Sequence, residues 1–420
     1  MGAAVSGFGR DNLGRAQLAG VAIDSFLEQH KIPLPVFLYD LGAIRDSATK
    51  VVSALGERSV VAYAVKANSA GTILRAMAEA DTGADVVSGA ELELALKCGI
   101  RPDKLVISGV AKSNDEIDLA ISRRILAIQA ESLEELSRID ARAEALGETA
   151  HVSLRVNPGI RIDSHAHIAT GHEEAKFGIL KATLPRAWEL IDHSTRLEPV
   201  GVSTHLGSTL ASPEDYLQGG RVVCEVALAR REQGRPLTYV NFGGGFGIDY
   251  GSGPVPPPAD FAAAANQLRS DAGLDDHMLL IEPGRSLVGP HCVLVAEVLQ
   301  TKSQGGSRWM LLNAGMNDLM RPALYQAQHR IEATDREPSG EAWRVAGPVC
   351  ESTDDFGRHV VCDPAPKRVV IRDAGAYGFV MASEYNGRPL PAEAFMQDGE
   401  LLHFSPSPGA ARWIQSRFSA

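Results

Sequence analysis

A parallel (β/α)8 barrel followed by a mostly-β domain is the α/β architecture this sequence predicts, and three observations predict it. From about residue 60 short β-branched runs alternate with longer helix-like stretches. Eight such runs fall before residue 285, and beyond Glu282 the texture changes to short strand candidates separated by Gly, Pro and charged turns. Eight βα units in succession suit a closed barrel better than an open sheet.

The strand candidates are 60–65, 84–88, 105–109, 125–129, 151–156, 201–206, 239–243 and 278–282. Between them 72–80, 90–99 and 132–146 carry apolar residues at helical spacing and are long enough to cross back over a sheet edge. The proline-rich stretch 251–260 reads as a surface loop between the seventh strand and its helix, with no need for a proline-binding partner. In the second domain 291–303, 309–315, 341–347 and 368–375 read as strands, and 36–40 is a candidate to join them before the chain enters the barrel. The expected division is an N-terminal segment 1–36 partly associated with the β domain, a barrel 37–285, and a C-terminal β domain 286–420.

With 420 residues and 45% hydrophobic content the chain exceeds what one core supports, which stops growing near ~250–300 residues. A net charge of −11 argues against a face that neutralises nucleic-acid phosphates. Cys98, Cys224, Cys292, Cys350 and Cys362 lack CxxC spacing, so neither a zinc cage nor a secreted disulfide framework is expected, and a reducing cytoplasm is. No apolar run approaches about 18 residues, so no membrane span is expected. Met1, Gly2 and Ser6 fit a short myristoylation pattern, which a flexible leader explains better.

Catalytic groups of such a barrel gather at the C-terminal ends of its strands. There stand Lys66 after strand one, His205 at the end of strand six, Gly243, Gly244 and Gly245 after strand seven, and Glu282 at the end of strand eight. Singly each has an ordinary explanation: a surface lysine, a core histidine, a tight turn, a helix cap or ion-pair partner. Together they supply what pyridoxal phosphate requires. A desolvated lysine forms a Schiff base, glycines let backbone N–H groups approach a phosphate, with Ser208 beside them, and a carboxylate keeps the pyridine nitrogen protonated. His205 offers a flat face to the ring.

The ordered motifs AYAVKAN (62–68), RVNPGI (155–160), AKFGI (175–179), HLGS (205–208), NFGGGFG (241–247), IEPGRSLVG (281–289), MNDLMRPALY (316–325), GPVCES (347–352) and RDAGAYGFVMASEYNGRPLPAE (372–393) resemble the motif series of the diaminopimelate decarboxylases. These belong to a wider group of ornithine and arginine decarboxylases built on an alanine-racemase-like barrel. The resemblance runs from about residue 36 to residue 395. It implies that Lys66 carries pyridoxal 5'-phosphate, His205 stacks on it and Glu282 binds its ring nitrogen. Ser208, Gly244, Gly245, Gly284, Arg285 and Tyr377 would surround the phosphate. Arg285, Arg321 and Tyr325, with Tyr377 beside them, would hold the far end of the substrate. Cys350, near the reacting carbon, and Glu351, facing the distal ammonium, would reach in from a second subunit, making a homodimer with shared active sites. No metal is implied. The reaction implied is decarboxylation of meso-2,6-diaminopimelate to L-lysine, with Cys350 or a neighbour returning a proton.

Three departures stand out. STHLGS replaces the usual HFHIGS, Asn313 replaces an aspartate before AGMNDL, and ASEYNGRP replaces SSNYNSRP, which brings in Glu384. They leave open a related decarboxylase acting on lysine, ornithine or a carrier-bound amino acid. A racemase would need a second base, usually a tyrosine, where Cys350 and Glu351 stand, and a non-catalytic regulatory homologue would be expected to have lost Lys66 or Cys350.

Overall fold

A computed structural model of the chain describes residues 7–160 and 176–418. Met1, Gly2 and Ser6 of the leader and Ala175 of AKFGI lie outside the described residues. The chain forms two compact units. One comprises residues 45–248 and 255–286, the other the residues up to 44, 249–254 and those from 287 onward.

The first unit is the closed parallel barrel. Its strands, in order, are Ser59–Ala64, Gly83–Val86, Leu105–Ile107, Ala127–Ala130, Ala150–Asn157, Leu197–Ser203, Tyr239–Gly244 and Met278–Glu282. Each pairs in parallel with the next, and the eighth returns to the first with Leu279 opposite Ser59. A two-residue strand, Ile179–Leu180, adds to the fifth. Val60, Ala62, Val106, Ala127, Val200, Tyr239 and Leu280 fill the interior. Gly201 admits the Tyr239 ring there, since a β-carbon at 201 would lie 2.5 Å from it.

The crossing helices start where serines can satisfy orphan N–H groups. Ser88, Ser132 and Ser212 cap the helices Gly89–Lys97, Leu133–Leu146 and Pro213–Glu232 through their side chains, and Ser113 with Glu116 forms a capping box on Asn114–Ser122. Ser88 is therefore a cap rather than the strand end expected from the run 84–88.

In the second unit the strand Cys292–Gln304 runs antiparallel to Val36–Asp40, which is parallel to Ala392–Gln397 on its other side. Ser307–Leu312, Trp343–Ala346 and Asp355–His359 extend the sheet beyond Cys292–Gln304, and Arg368–Ile371 pairs with both that strand and Ile331–Ala333. Backbone pairing on both edges places Val36–Asp40 in the β unit, so the barrel starts later than the expected residue 37. Leu18, Phe26, Leu38, Val293, Val370 and Met396 are among the core of this unit. Among the described residues no helix is long and apolar enough to cross a membrane.

Candidate active site

The first barrel strand is apolar up to Ala64, and one 3-10 turn, Val65–Ala67, then buries Val65 and Ala67 and leaves the Lys66 side chain 36% exposed at the rim. Its Nζ donates to Asp85 Oδ2 at 2.9 Å; Asp85, near the end of strand two, is fully buried. The other oxygen of Asp85 accepts from Ser108 Oγ at 2.5 Å, just beyond strand three. Ser108 in turn accepts from the amide of Gln129 in strand four at 3.1 Å. That amide also donates to Glu282 Oε1 at 2.6 Å, which Asn241 of strand seven reaches at 2.7 Å. Asn241 Oδ1 takes the Gly243 N–H at 2.8 Å.

One chain of hydrogen bonds thus crosses the barrel from the amine to the second carboxylate through residues in or just after strands one, two, three, four and eight, and Asn241 of strand seven joins it at Glu282. Lys66 and Ser108 donate to Asp85, and Gln129 and Asn241 donate to Glu282, where their donation favours the anion. Burial opposes this. It pushes the Glu282 carboxyl up to about 7, the charge of Asp85 adds to the rise, and Lys66, Asn241 and Gln129 pull against it.

The glycines make a cradle that no side chain could occupy. Gly243 and Gly245 have φ of +72° and +96°; a β-carbon on Gly244 would lie 1.9 Å from the Glu282 carbonyl oxygen, and one on Gly245 would lie 2.1 Å from that of Gly207. The Gly244 N–H donates to His205 Nδ1 at 3.2 Å, which leaves the imidazole proton on Nε2. Burial, then the positive charges of Arg155 and Lys66, disfavour the imidazolium, so His205 presents a neutral ring. Arg285, 9% exposed, donates to Ser208 Oγ at 3.0 Å, and Gly284 packs its backbone on Ala64 and Ala67.

The remaining expected residues belong to the β unit. Arg321 opens the short helix Arg321–Tyr325 and is 4% exposed, while Tyr325 ends it half-buried. Cys350 and Glu351 are exposed in one turn, and Tyr385 Oη donates to Glu351 Oε2 at 3.4 Å. The buried carboxylate of Asp354 ties that turn down by accepting the N–H groups of Met316 at 2.6 Å and Val349 at 2.7 Å. Tyr377 has φ of +55°, a conformation uncommon for a bulky residue that marks a constrained segment. Glu384 lines a cavity with Asn317, Tyr385 and Trp413. All five cysteines are free thiols.

On the barrel rim, then, the structure gathers Lys66, His205, Ser208, Gly244, Gly245, Glu282, Gly284 and Arg285. Sequence reasoning missed Asp85, Ser108, Gln129 and Asn241. The signal was present: each is a polar residue in or just after an otherwise apolar strand. It also missed Asp354, Tyr250 and His329 in the β unit.

A barrel that presents an amine, a neutral imidazole, a buried carboxylate and a side-chain-free cradle at one rim is a scaffold for a small ligand carrying a carbonyl group and an anionic group. Residues 41–289 match the family described as pyridoxal-dependent decarboxylase, pyridoxal binding domain, and the chain belongs to that family. It is 37% identical over 384 residues to the diaminopimelate decarboxylase of Helicobacter pylori, covering 90% of this chain and 93% of the relative. The crystal structure of the Helicobacter pylori diaminopimelate decarboxylase complexed with L-lysine superposes with a TM-score of 0.87 at 34% identity, over 94% of this chain and 99% of the other. The M. jannaschii diaminopimelate decarboxylase in co-complex with L-lysine gives 0.89 at 30% identity, over 99% and 98%.

Proposed function

We propose that this protein decarboxylates meso-2,6-diaminopimelate to L-lysine and carbon dioxide with pyridoxal 5'-phosphate held on Lys66. The carrying observation is the hydrogen-bond chain from Lys66 Nζ to Glu282 across the barrel floor, beside a glycine cradle in which a β-carbon on Gly244 would strike Glu282. These residues fit the cofactor. Lys66 supplies the amine for its aldehyde, Glu282 a carboxylate for its ring nitrogen, and His205 a neutral face for its ring. Gly244, Gly245, Ser208, Gly284, Arg285 and Tyr377 supply N–H, hydroxyl and guanidinium donors for its phosphate. When bound, the cofactor draws electrons from the bond that breaks at the substrate's α-carbon.

The chain's own groups do the rest. Asp85 would hold the Lys66 ammonium while that amine is free and the substrate's own amine occupies its place. Gln129 and Asn241 engage Glu282 Oε1, leaving Oε2 to the ligand, and their donation favours the anion that a protonated ring nitrogen needs. Arg321 and Arg285, with Tyr325 and Tyr377, hold the distal carboxylate, and Glu351 the distal ammonium. Cys350 holds a proton for the reacting carbon.

The substrate is chosen by charge. Diaminopimelate keeps a carboxylate at its far end, and the planar fork of an arginine matches it. Ornithine has only an amine there, and burying Arg321 toward such a ligand would carry an electrostatic cost. Cys350 and Glu351 reach the site from the partner copy of a cytoplasmic homodimer; their exposure on a tethered turn supports this.

The test is carbon dioxide release by the cofactor-loaded protein from meso-diaminopimelate, L-lysine and L-ornithine. Turnover of the first alone is expected, and comparable kcat/KM on either of the others would overturn the substrate assignment. Arg321→Ala should raise KM for diaminopimelate about 10-fold or more without loosening the cofactor.

A further inference from the structure

Arg321 is held by a histidine that no part of the reaction requires. The helix Arg321–Tyr325 ends in a left-handed residue, Gln326 at φ +54°, which turns the chain back so that His329 arrives beneath Arg321. Arg321 Nη1 lies 2.7 Å from His329 Nε2, and His329 Nδ1 lies 2.8 Å from the Arg372 carbonyl oxygen. A guanidinium only donates and a carbonyl only accepts, so the imidazole proton sits on Nδ1 and Nε2 offers its lone pair to the arginine. His329 is 3% exposed and stands next to Arg330, whose carbonyl takes the Arg372 N–H at 2.9 Å, so the ring rests on sheet backbone. Tyr250 completes the seat: the Arg321 guanidinium lies over its ring, 4.6 Å from the centroid, and the same ring meets His329 edge to face at 5.1 Å.

We infer that His329 is a positioning residue that aims the Arg321 fork, and through it sets the preference of the site for ligands with a distal carboxylate. The inference rests on the reading above, in which Arg321 holds that carboxylate. The choice of residue type carries the argument. A carboxylate in place of His329 would fix Nη1 equally well but neutralise the charge the ligand must find. A neutral imidazole whose other nitrogen is locked to a carbonyl orients the guanidinium and leaves it cationic. Tyr250 does the same from the flat side.

L-lysine and cadaverine share a carbon chain and differ by the carboxylate, so their ratio of dissociation constants isolates this contact. Calorimetric binding of both to the cofactor-loaded protein is compared for wild type, Arg321→Ala, His329→Leu and His329→Gln. His329→Leu should weaken L-lysine about 10-fold and leave cadaverine within about 2-fold, and His329→Gln, whose amide oxygen can accept the same N–H, should recover most of the loss. On meso-diaminopimelate His329→Leu should raise KM while kcat changes little. Equal weakening of both ligands, or no recovery in His329→Gln, overturns the inference. Should His329→Leu fail to fold, His329→Gln is set against His329→Asn, whose shorter amide does not reach Nη1; selectivity must survive in the first and fall in the second, and equal selectivity overturns the inference. Arg321→Ala separates the two levels. If it keeps the wild-type preference for lysine, the role of Arg321 is wrong and the inference falls with it; if it loses that preference while His329→Leu does not, the inference alone falls.

Discussion

Glu282→Gln should stabilise the protein without its cofactor and weaken its hold on the cofactor, and the size of the first effect follows from the site. Burial and the neighbouring Asp85 raise the Glu282 carboxyl from 4.5 to about 7 in the folded state. A carboxyl whose folded value lies above its unfolded one contributes stability that is fully present below the unfolded value and is lost as pH rises through the folded one. At ~1.4 kcal/mol for each factor of ten in proton affinity, that gap makes ionised Glu282 cost about 3 kcal/mol near pH 8 and about 1 kcal/mol near pH 5.5. Glutamine has the same shape, its oxygen can accept from Gln129 and Asn241, and it carries no charge. Urea denaturation of cofactor-free wild type and Glu282→Gln should therefore show the variant ahead at both pH values, with its advantage growing by about 2 kcal/mol between them. The same variant should bind pyridoxal phosphate more weakly, because the ring nitrogen loses its counter-charge. A pH-independent difference, or a variant less stable near pH 8, would refute the account of the buried carboxylate.

Gly244→Ala should lower the melting temperature and abolish cofactor binding, because its β-carbon meets the Glu282 carbonyl at 1.9 Å, whereas Gly234→Ala, with nothing within 4 Å, should cost only about 1 kcal/mol. Lys112 is buried and its ammonium contacts the carbonyl oxygens of Gly109 and Gln129 at 2.7 Å and Glu135 at 3.2 Å. Lys112→Met should therefore destabilise by roughly 3–5 kcal/mol in urea by leaving Glu135 in low dielectric, and adding Glu135→Gln should recover part of the loss. Lys66→Ala and Glu351→Ala proteins, inactive apart, should regain activity when mixed and allowed to exchange subunits; no recovery would contradict a shared site.

The barrel was legible because its strands are local apolar runs, and serines cap four of the helices that follow them. Strand ends differ for physical reasons: the sixth strand starts at Leu197 because a register shift between Pro199 and Gly201 lets it continue past the point where the apolar pattern breaks. Val36–Asp40 reads as a strand, but its place between Cys292–Gln304 and Ala392–Gln397 depends on pairing with residues far along the chain. The rim residues Lys66, His205 and Glu282 could be found because they are reactive types at strand ends. Asp85, Ser108, Gln129 and Asn241 were invisible as a set, since only barrel closure brings six strand ends around one floor. Tyr250 and His329 were missed for a similar reason: their relation to Arg321 is made by a turn and by a loop from the middle of the sequence.

The central claim is that Lys66 is the amine that carries the cofactor. Borohydride reduction of the pyridoxal-phosphate-loaded protein, followed by proteolysis and mass analysis, fixes the cofactor on whichever lysine holds it. The modification is expected on the peptide containing Lys66 and on no other. Label on Lys112 or Lys176, or an unlabelled Lys66 peptide from protein that releases carbon dioxide, would contradict the account.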